Sequence, residues 1–135
     1  MNLIVRTAKA ADFPAIRYLA EKLYLDSADM RAEEFMVAED ERKIVGIGRI
    51  IKHPDCRELA TFGIEETHRK KGVGKKLVDE LAKKADGPVY LATIIPGYFE
   101  KLGFRKAEKI PASMVKKSDW CEGCSRQNCT VMIKK

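Results

Sequence analysis

The stretch Thr67-His68-Arg69-Lys70-Lys71-Gly72-Val73-Gly74-Lys75-Lys76 constrains this chain more than any other. It follows an apolar run, Glu58 to Ile64, that reads as a strand. It opens a segment in which Val73, Leu77, Leu81 and Ala85 recur every four residues, the spacing of an amphipathic helix. A strand, a basic glycine-rich turn and then a helix make a phosphate-binding layout. Glycines let the backbone approach the anion, and the unbonded N–H groups of the first helical turn point at it. The positive end of the helix dipole adds to the attraction, with Arg69, Lys70, Lys71, Lys75 and Lys76 as surrounding cations. The pattern is neither the G-x-G-x-x-G dinucleotide turn nor the Lys-Ser/Thr-ended loop of nucleotide triphosphatases. It is Arg-x-x-Gly-x-Gly, which taken alone also fits an ordinary basic helix start with two turn glycines.

A second segment separates those readings. Tyr98-Phe99-Glu100-Lys101-Leu102-Gly103-Phe104 is an aromatic-acidic-Lys-x-Gly-Phe run downstream of the first. Together the two resemble the paired fingerprints of the GNAT (Gcn5-related N-acetyltransferase) superfamily, in the family's order and at about its separation. The resemblance covers nearly the whole chain. It implies an α/β (α+β) fold: a mixed, mostly antiparallel sheet of six to seven strands, splayed between strands 4 and 5 and flanked by about four helices. It also implies acetyl-CoA as co-substrate.

A chain of 135 residues suits one such domain, spanning 1–135, with a proper core. Its 45% hydrophobic content and mean hydropathy of −0.31 are those of an ordinary globular protein. No apolar run approaches the roughly 18 residues of a membrane span. The start, Met1-Asn2-Leu3-Ile4-Val5-Arg6, reads directly as a strand and lacks the apolar core of a signal peptide, so cytoplasm is the expected location. The net charge of +6 suits a cofactor with several phosphates and an acidic small substrate. Nucleic-acid binding would want a basic face interleaved with stacking aromatics, which this pattern lacks.

Along the chain, Leu3 to Thr7 reads as a strand. Asp12 reads as the N-cap of a helix carrying Pro14 in its first turn, an Ile16-Leu19-Ala20-Leu23 stripe, and an end near Asp26. Residues 27–34 are polar, with room for a second short helix; by resemblance they border the acceptor site. Phe35 to Glu39 and Lys43 to Lys52 form an expected hairpin, with Gly46 and Gly48 marking close approach of a neighbour or ligand. His53-Pro54-Asp55 breaks the run before the strand from Arg57 to Ile64. Val89 to Ile95 is a fifth strand, Pro96 starts a short helix, and Phe104–Glu108 and Cys129–Lys134 are the last two strands.

What the resemblance implies for chemistry is direct attack of an amine on the thioester in a ternary complex. Arg69, Lys70, Lys71, Gly72, Val73, Gly74 and Lys75 would hold the diphosphate, with Phe99 and Lys101 also on the cofactor. Backbone N–H groups around Phe62, Gly63 and Ile64 would face the pantetheine arm and thioester oxygen, and Gly63 would let the arm lie flat. Fixed donors at an oxyanion contribute about 3 kcal/mol each. Glu58, eleven residues before Arg69, sits where histone-type relatives carry a general-base glutamate; an exposed strand-end charge is the alternative. The demand on a base depends on the acceptor. At pH 7 an α-amine is about one-sixth neutral, a lysine amine only about one part in 2,500. His68 is expected to face phosphate or solvent, and His53 to sit in a turn; neither is expected to be the base. Where many relatives place a Tyr that protonates the departing thiolate, this chain has Phe99. Tyr98 lies one residue earlier, about 100° around a helix, and could serve only if that helix is rotated.

Trp120-Cys121-x-x-Cys124-x4-Cys129 resembles the tail of N-acetylglutamate-synthase-like amino-acid acetyltransferases, with Ser125 and Thr130 as departures. Three thiols fall short of a closed zinc site, and Cys56 is expected too far away to complete one, so no metal is expected. Packed free thiols are the expectation for them, with a disulfide or a metal as the alternative. The expected acceptor is a small-molecule amine, glutamate or another amino acid, with Arg31, Arg49 and Arg126 as candidates for a carboxylate. A protein N-terminal or lysine acetyltransferase and an inert CoA-binding sensor are the rivals. Homodimers are common in the family.

Overall fold

The structure, a computed structural model, describes residues 2–115 and 130–135. Its strands are β1 (Leu3–Thr7), β2 (Phe35–Asp40), β3 (Lys43–Lys52), β4 (Arg57–Ile64), β5 (Val89–Thr93), β6 (Arg105–Lys106) and β7 (Thr130–Lys134). They form one sheet in the order β1-β2-β3-β4-β5-β7-β6. Every neighbouring pair is antiparallel except β4 and β5. The helices are α1 (Phe13–Lys22), α2 (Val73–Ala85), α3 (Pro96–Glu100) and α4 (Ala112–Val115). Residues 27–34 hold only a 3-10 turn, Ala32–Glu34.

Two hydrophobic clusters cover the sheet. The larger joins α2, through Val73, Leu77, Val78, Leu81 and Ala85, to Met36, Val45, Leu59, Leu91 and Met132. The smaller joins Ile16, Leu19 and Ala20 of α1 to Phe35, Val37 and Ile47. Gly46 and Gly48 permit the first contact. A Cβ on Gly46 would lie 2.9 Å from Ile64 Cδ1, and one on Gly48 2.7 Å from Leu81 Cδ1. The strand is bare at those points so that its neighbours can lie close, as its glycines led us to expect.

Helix α1 ends at Lys22, short of Asp26, because Tyr24 turns left-handed at φ 56°. Asp12 does precede α1, but its carboxylate makes no cap to that helix. It accepts from Arg6 Nη1 at 2.7 Å, Arg6 Nη2 at 3.0 Å and the Lys9 N–H at 2.7 Å. The Arg6 hydrogen bond leads the effects that hold Asp12 down to a pKa of about 2. A carboxyl depressed on folding adds stability above its ordinary pKa, and that stability disappears as pH falls toward the folded value. Thermal unfolding should therefore show wild type losing, between pH 4 and pH 2, an advantage over Asp12→Asn on the order of 1 kcal/mol. Parallel acid limbs for the two proteins would contradict this.

Candidate active site

The site exists because β4 and β5 pair only at their beginning, Arg57 with Val89 and Glu58 with Tyr90. Beyond those positions the strands diverge. A bulge assists the divergence: opposite β3 the register slips between Ile47 and Arg49, and Thr61 adopts a left-handed φ of 47°. An added residue bends and twists the bulged strand. The resulting cleft holds a cavity of about 280 Å³ lined by Glu58 to Phe62 of β4, Leu91 to Thr93 of β5, Ile94, Ile95, Phe99 and the segment Leu23–Asp26.

Segment 23–34 is fastened over the bulge by Arg49. Its guanidinium, 2% exposed, donates to Thr61 Oγ1 (2.9 Å), Ala28 O (2.9 Å), Asp29 O (3.2 Å) and Glu34 Oε1 (3.2 Å). Thr61 Oγ1 in turn donates to Asp26 O at 2.6 Å. Arg49 is thus spent on holding this loop, which removes it as a candidate for a substrate carboxylate. Arg31 is exposed within that segment, and Arg126 lies outside the described residues with Cys121, Cys124 and Cys129.

Glu58 lies at the closed end of the cleft, with its side chain 4% exposed. The alternative of an exposed strand-end charge is excluded. Its Oε1 is 2.8 Å from His53 Nε2, in the turn between β3 and β4. That pairing was missed, although the hairpin register, Lys52 opposite Arg57 and Ile51 opposite Glu58, brings the two positions to one corner. His68 is also placed differently from the expectation. Its Nε2 bonds Asp40 Oδ2 at 2.8 Å and its Nδ1 meets Thr67 Oγ1 at 2.8 Å, so it ties the loop to the end of β2.

The loop reaches α2 through two left-handed residues, Lys70 at φ 64° and Gly72 at φ 79°. Gly72 caps the helix, and the first intrahelical bond runs from Lys76 N to Gly72 O, so the preceding N–H groups lack helical acceptors. Arg69 folds back to donate from Nε to Ile64 O at 3.1 Å, binding the loop to the end of β4. Lys70 and Lys71 are exposed, whereas Lys75 pairs with Asp79 at 3.0 Å one turn along the helix. Val73 is a core residue, 1% exposed.

Phe62 and Phe99 line the cleft with ring centroids 5.9 Å apart, and Phe99 also packs edge-on against Phe104. Tyr98 is absent from the cavity's lining: its hydroxyl lies over Gly74, where a Cβ would collide with it. The rotation that would bring Tyr98 into the cleft has not occurred. Burial pushes the phenol's pKa up, opposed by Arg69, so it remains an O–H donor at the loop. Lys101 is exposed at the end of α3. Gly63 faces the loop: a Cβ there would lie 2.9 Å from both Leu23 Cδ1 and Leu25 Cδ1, so its missing side chain makes room for packing. Ile64 is buried against Gly46.

A glycine-rich helix start that opens into a splayed sheet, with a buried carboxylate at the far end, defines a class that binds an acyl-CoA and transfers its acyl group. The acetyltransferase (GNAT) domain model matches residues 31–106, and the chain belongs to that family, whose members are acetyl-CoA-dependent N-acetyltransferases. It is 27% identical to an uncharacterised N-acetyltransferase of Chlorobaculum tepidum, over 78% of this chain and 77% of that one. Its fold is similar to N-acetylglutamate synthase from Neisseria gonorrhoeae, solved with coenzyme A and N-acetyl-glutamate. There the TM-score is 0.79 and the identity 20%, over 99% of this chain but 35% of that one, so the chain spans about a third of the synthase's length. Rv2747 from Mycobacterium tuberculosis, solved with CoA, gives a TM-score of 0.75 at 22% identity, over 97% of this chain and 98% of that one.

Gly74 carries a test of the loop. Valine there would force its bulk against the Tyr98 hydroxyl and toward the Phe62 ring, in the first turn of α2. We expect Gly74→Val to weaken CoA binding at least tenfold by calorimetry while lowering the melting temperature only a few degrees. A melting temperature that falls as steeply as affinity would mean the glycine serves folding instead.

Proposed function

We propose that this chain transfers the acetyl group of acetyl-CoA to the primary amine of a small molecule by direct attack, with Glu58 as the general base. The observation that carries this reading is Glu58 itself, a buried carboxylate at the closed end of the cavity where β4 and β5 part. The amides around Phe62, Gly63 and Ile64 hydrogen-bond the pantetheine arm and the thioester oxygen, and those between Arg69 and Lys75 hold the diphosphate. Phe99 packs against the arm, the Tyr98 hydroxyl donates to the cofactor near Gly74, and Lys70, Lys71 and Lys101 are cations at its phosphates. Thiolate leaves unaided; its conjugate thiol, with a pKa near 8.5 by analogy with Cys, is acidic enough for that.

The acceptor we favour is an amino acid such as glutamate. Support comes from the synthase solved with N-acetyl-glutamate and from the tail Cys121-x-x-Cys124-x4-Cys129. Arg31, exposed in segment 23–34, is a candidate cation for its carboxylates. One observation favours a second reading, a CoA sensor without turnover: Phe99 lines the cleft, at the position where many members of the family carry a Tyr acid. Release of CoA thiol from acetyl-CoA, measured with L-glutamate, other amino acids, spermidine and short peptides, tests both. We expect release with at least one amino acid. Tight CoA binding with no release from any acceptor would leave the sensor standing, and release with peptides alone would make the chain a protein acetyltransferase.

A further inference from the structure

A base enclosed in a cleft must return its proton to solvent on every turnover. Glu58 has little contact with water of its own, its side chain being 4% exposed. His53 is the group that bridges the gap. Its ring stands 2.8 Å from Glu58 Oε1 on one side, and its side chain is 24% exposed. The turn that carries it is fixed. The His53 N–H donates to Cys56 O at 2.9 Å, and the neighbouring carboxylate, Asp55, accepts the Ser113 N–H at 3.1 Å.

We propose that His53 is the proton exit of this site, relaying to water the proton that Glu58 takes from the acceptor amine. The proposal rests on Glu58 being the base. The amine N–H bond breaks as a Glu58 O–H bond forms. At rest the His53 Nε2–H donates to the Glu58 carboxylate; once Glu58 carries the amine's proton, exchange with solvent moves the ring to the tautomer with Nδ1–H and a bare Nε2. The Glu58 O–H then breaks as Nε2–H forms, giving imidazolium and a regenerated carboxylate, and loss of the Nδ1 proton to water returns the ring to its resting tautomer. No electrons are gained or lost, and one proton leaves per acetyl group transferred. His53 does not line the cavity, so it is a positioning and relay residue; a side chain of the same bulk without a titrating nitrogen would support Glu58 but move no proton.

The test compares wild type, His53→Gln, His53→Ala and Glu58→Gln, each as the full chain. Thiol release from acetyl-CoA is followed with L-glutamate and with spermidine as acceptors, with and without added imidazole. We expect both His53 variants to lose about tenfold in kcat, to bind CoA and melt as wild type does, and to regain turnover in imidazole, most fully for the alanine variant, which leaves space for the free ring. Wild-type turnover in both His53 variants, alongside a Glu58→Gln protein that is inactive, would overturn the relay while leaving the base in place. A loss that imidazole does not relieve would reduce His53 to a structural role and overturn the relay equally. Full turnover in Glu58→Gln would instead remove the base reading on which the relay rests.

Discussion

Glu58→Gln should lower kcat by about 10²–10⁴-fold while leaving CoA affinity and melting temperature near wild type. The substitution keeps the side chain's shape and its capacity to accept a hydrogen bond from His53, and it abolishes basicity. The expected size depends on the acceptor. An α-amine, already about one-sixth neutral at pH 7, should suffer least, and a lysine-like amine most. Steady-state kinetics should therefore show the loss shrinking as pH is raised toward the acceptor's own pKa, because hydroxide then does the work of the carboxylate. Loss confined to KM would mean that Glu58 binds the acceptor and leaves its proton alone.

Arg49→Met should cost about 3 kcal/mol, or on the order of 10 °C in melting temperature. The guanidinium lies 2% exposed and donates to four acceptors, two of them carbonyls in the loop at 28–29, with its charge 5.7 Å from the centre of the Phe35 ring. Methionine fills much of the volume but leaves Thr61, Ala28, Asp29 and Glu34 without their donor. The loop that roofs the cleft should loosen with it, so kcat/KM for the acceptor should fall further than CoA affinity. Urea unfolding and limited proteolysis between residues 26 and 34 measure the two effects. A variant as stable as wild type would show that the loop is held by Leu23, Leu25 and the α1 packing alone.

The sequence revealed what depends on periodicity and concealed what depends on register. Every-fourth-residue spacing identified α2, and Val73, Leu77, Leu81 and Ala85 are all core residues. Order along the chain identified the β2–β3 hairpin and the helix that follows β4. The bulge at Thr61 carries no sequence mark, since threonine is an ordinary strand residue and its left-handed φ arises from tertiary fit. Arg49 was a candidate for a substrate carboxylate, and nothing local shows that its acceptors are Thr61, Glu34 and the carbonyls of Ala28 and Asp29. His53 was set aside as a turn residue because its relation to Glu58 appears only once the β3–β4 register is known. Asp12 was assigned by a rule of neighbours, yet its strongest partner, Arg6, lies on the preceding strand. Gly63 illustrates the same limit. A bare strand position announces close approach but does not say whether a ligand or, as here, two leucines approach.

The central claim is that the loop at 69–75 and the cleft beyond it hold coenzyme A. Titrating CoA into the purified chain in a calorimeter, at two temperatures so that a vanishing enthalpy cannot conceal binding, tests it directly. We expect one site per chain with a Kd between about 1 μM and 1 mM, weakened at least tenfold in Gly74→Val. Absence of heat at both temperatures with millimolar CoA would contradict the account at its root.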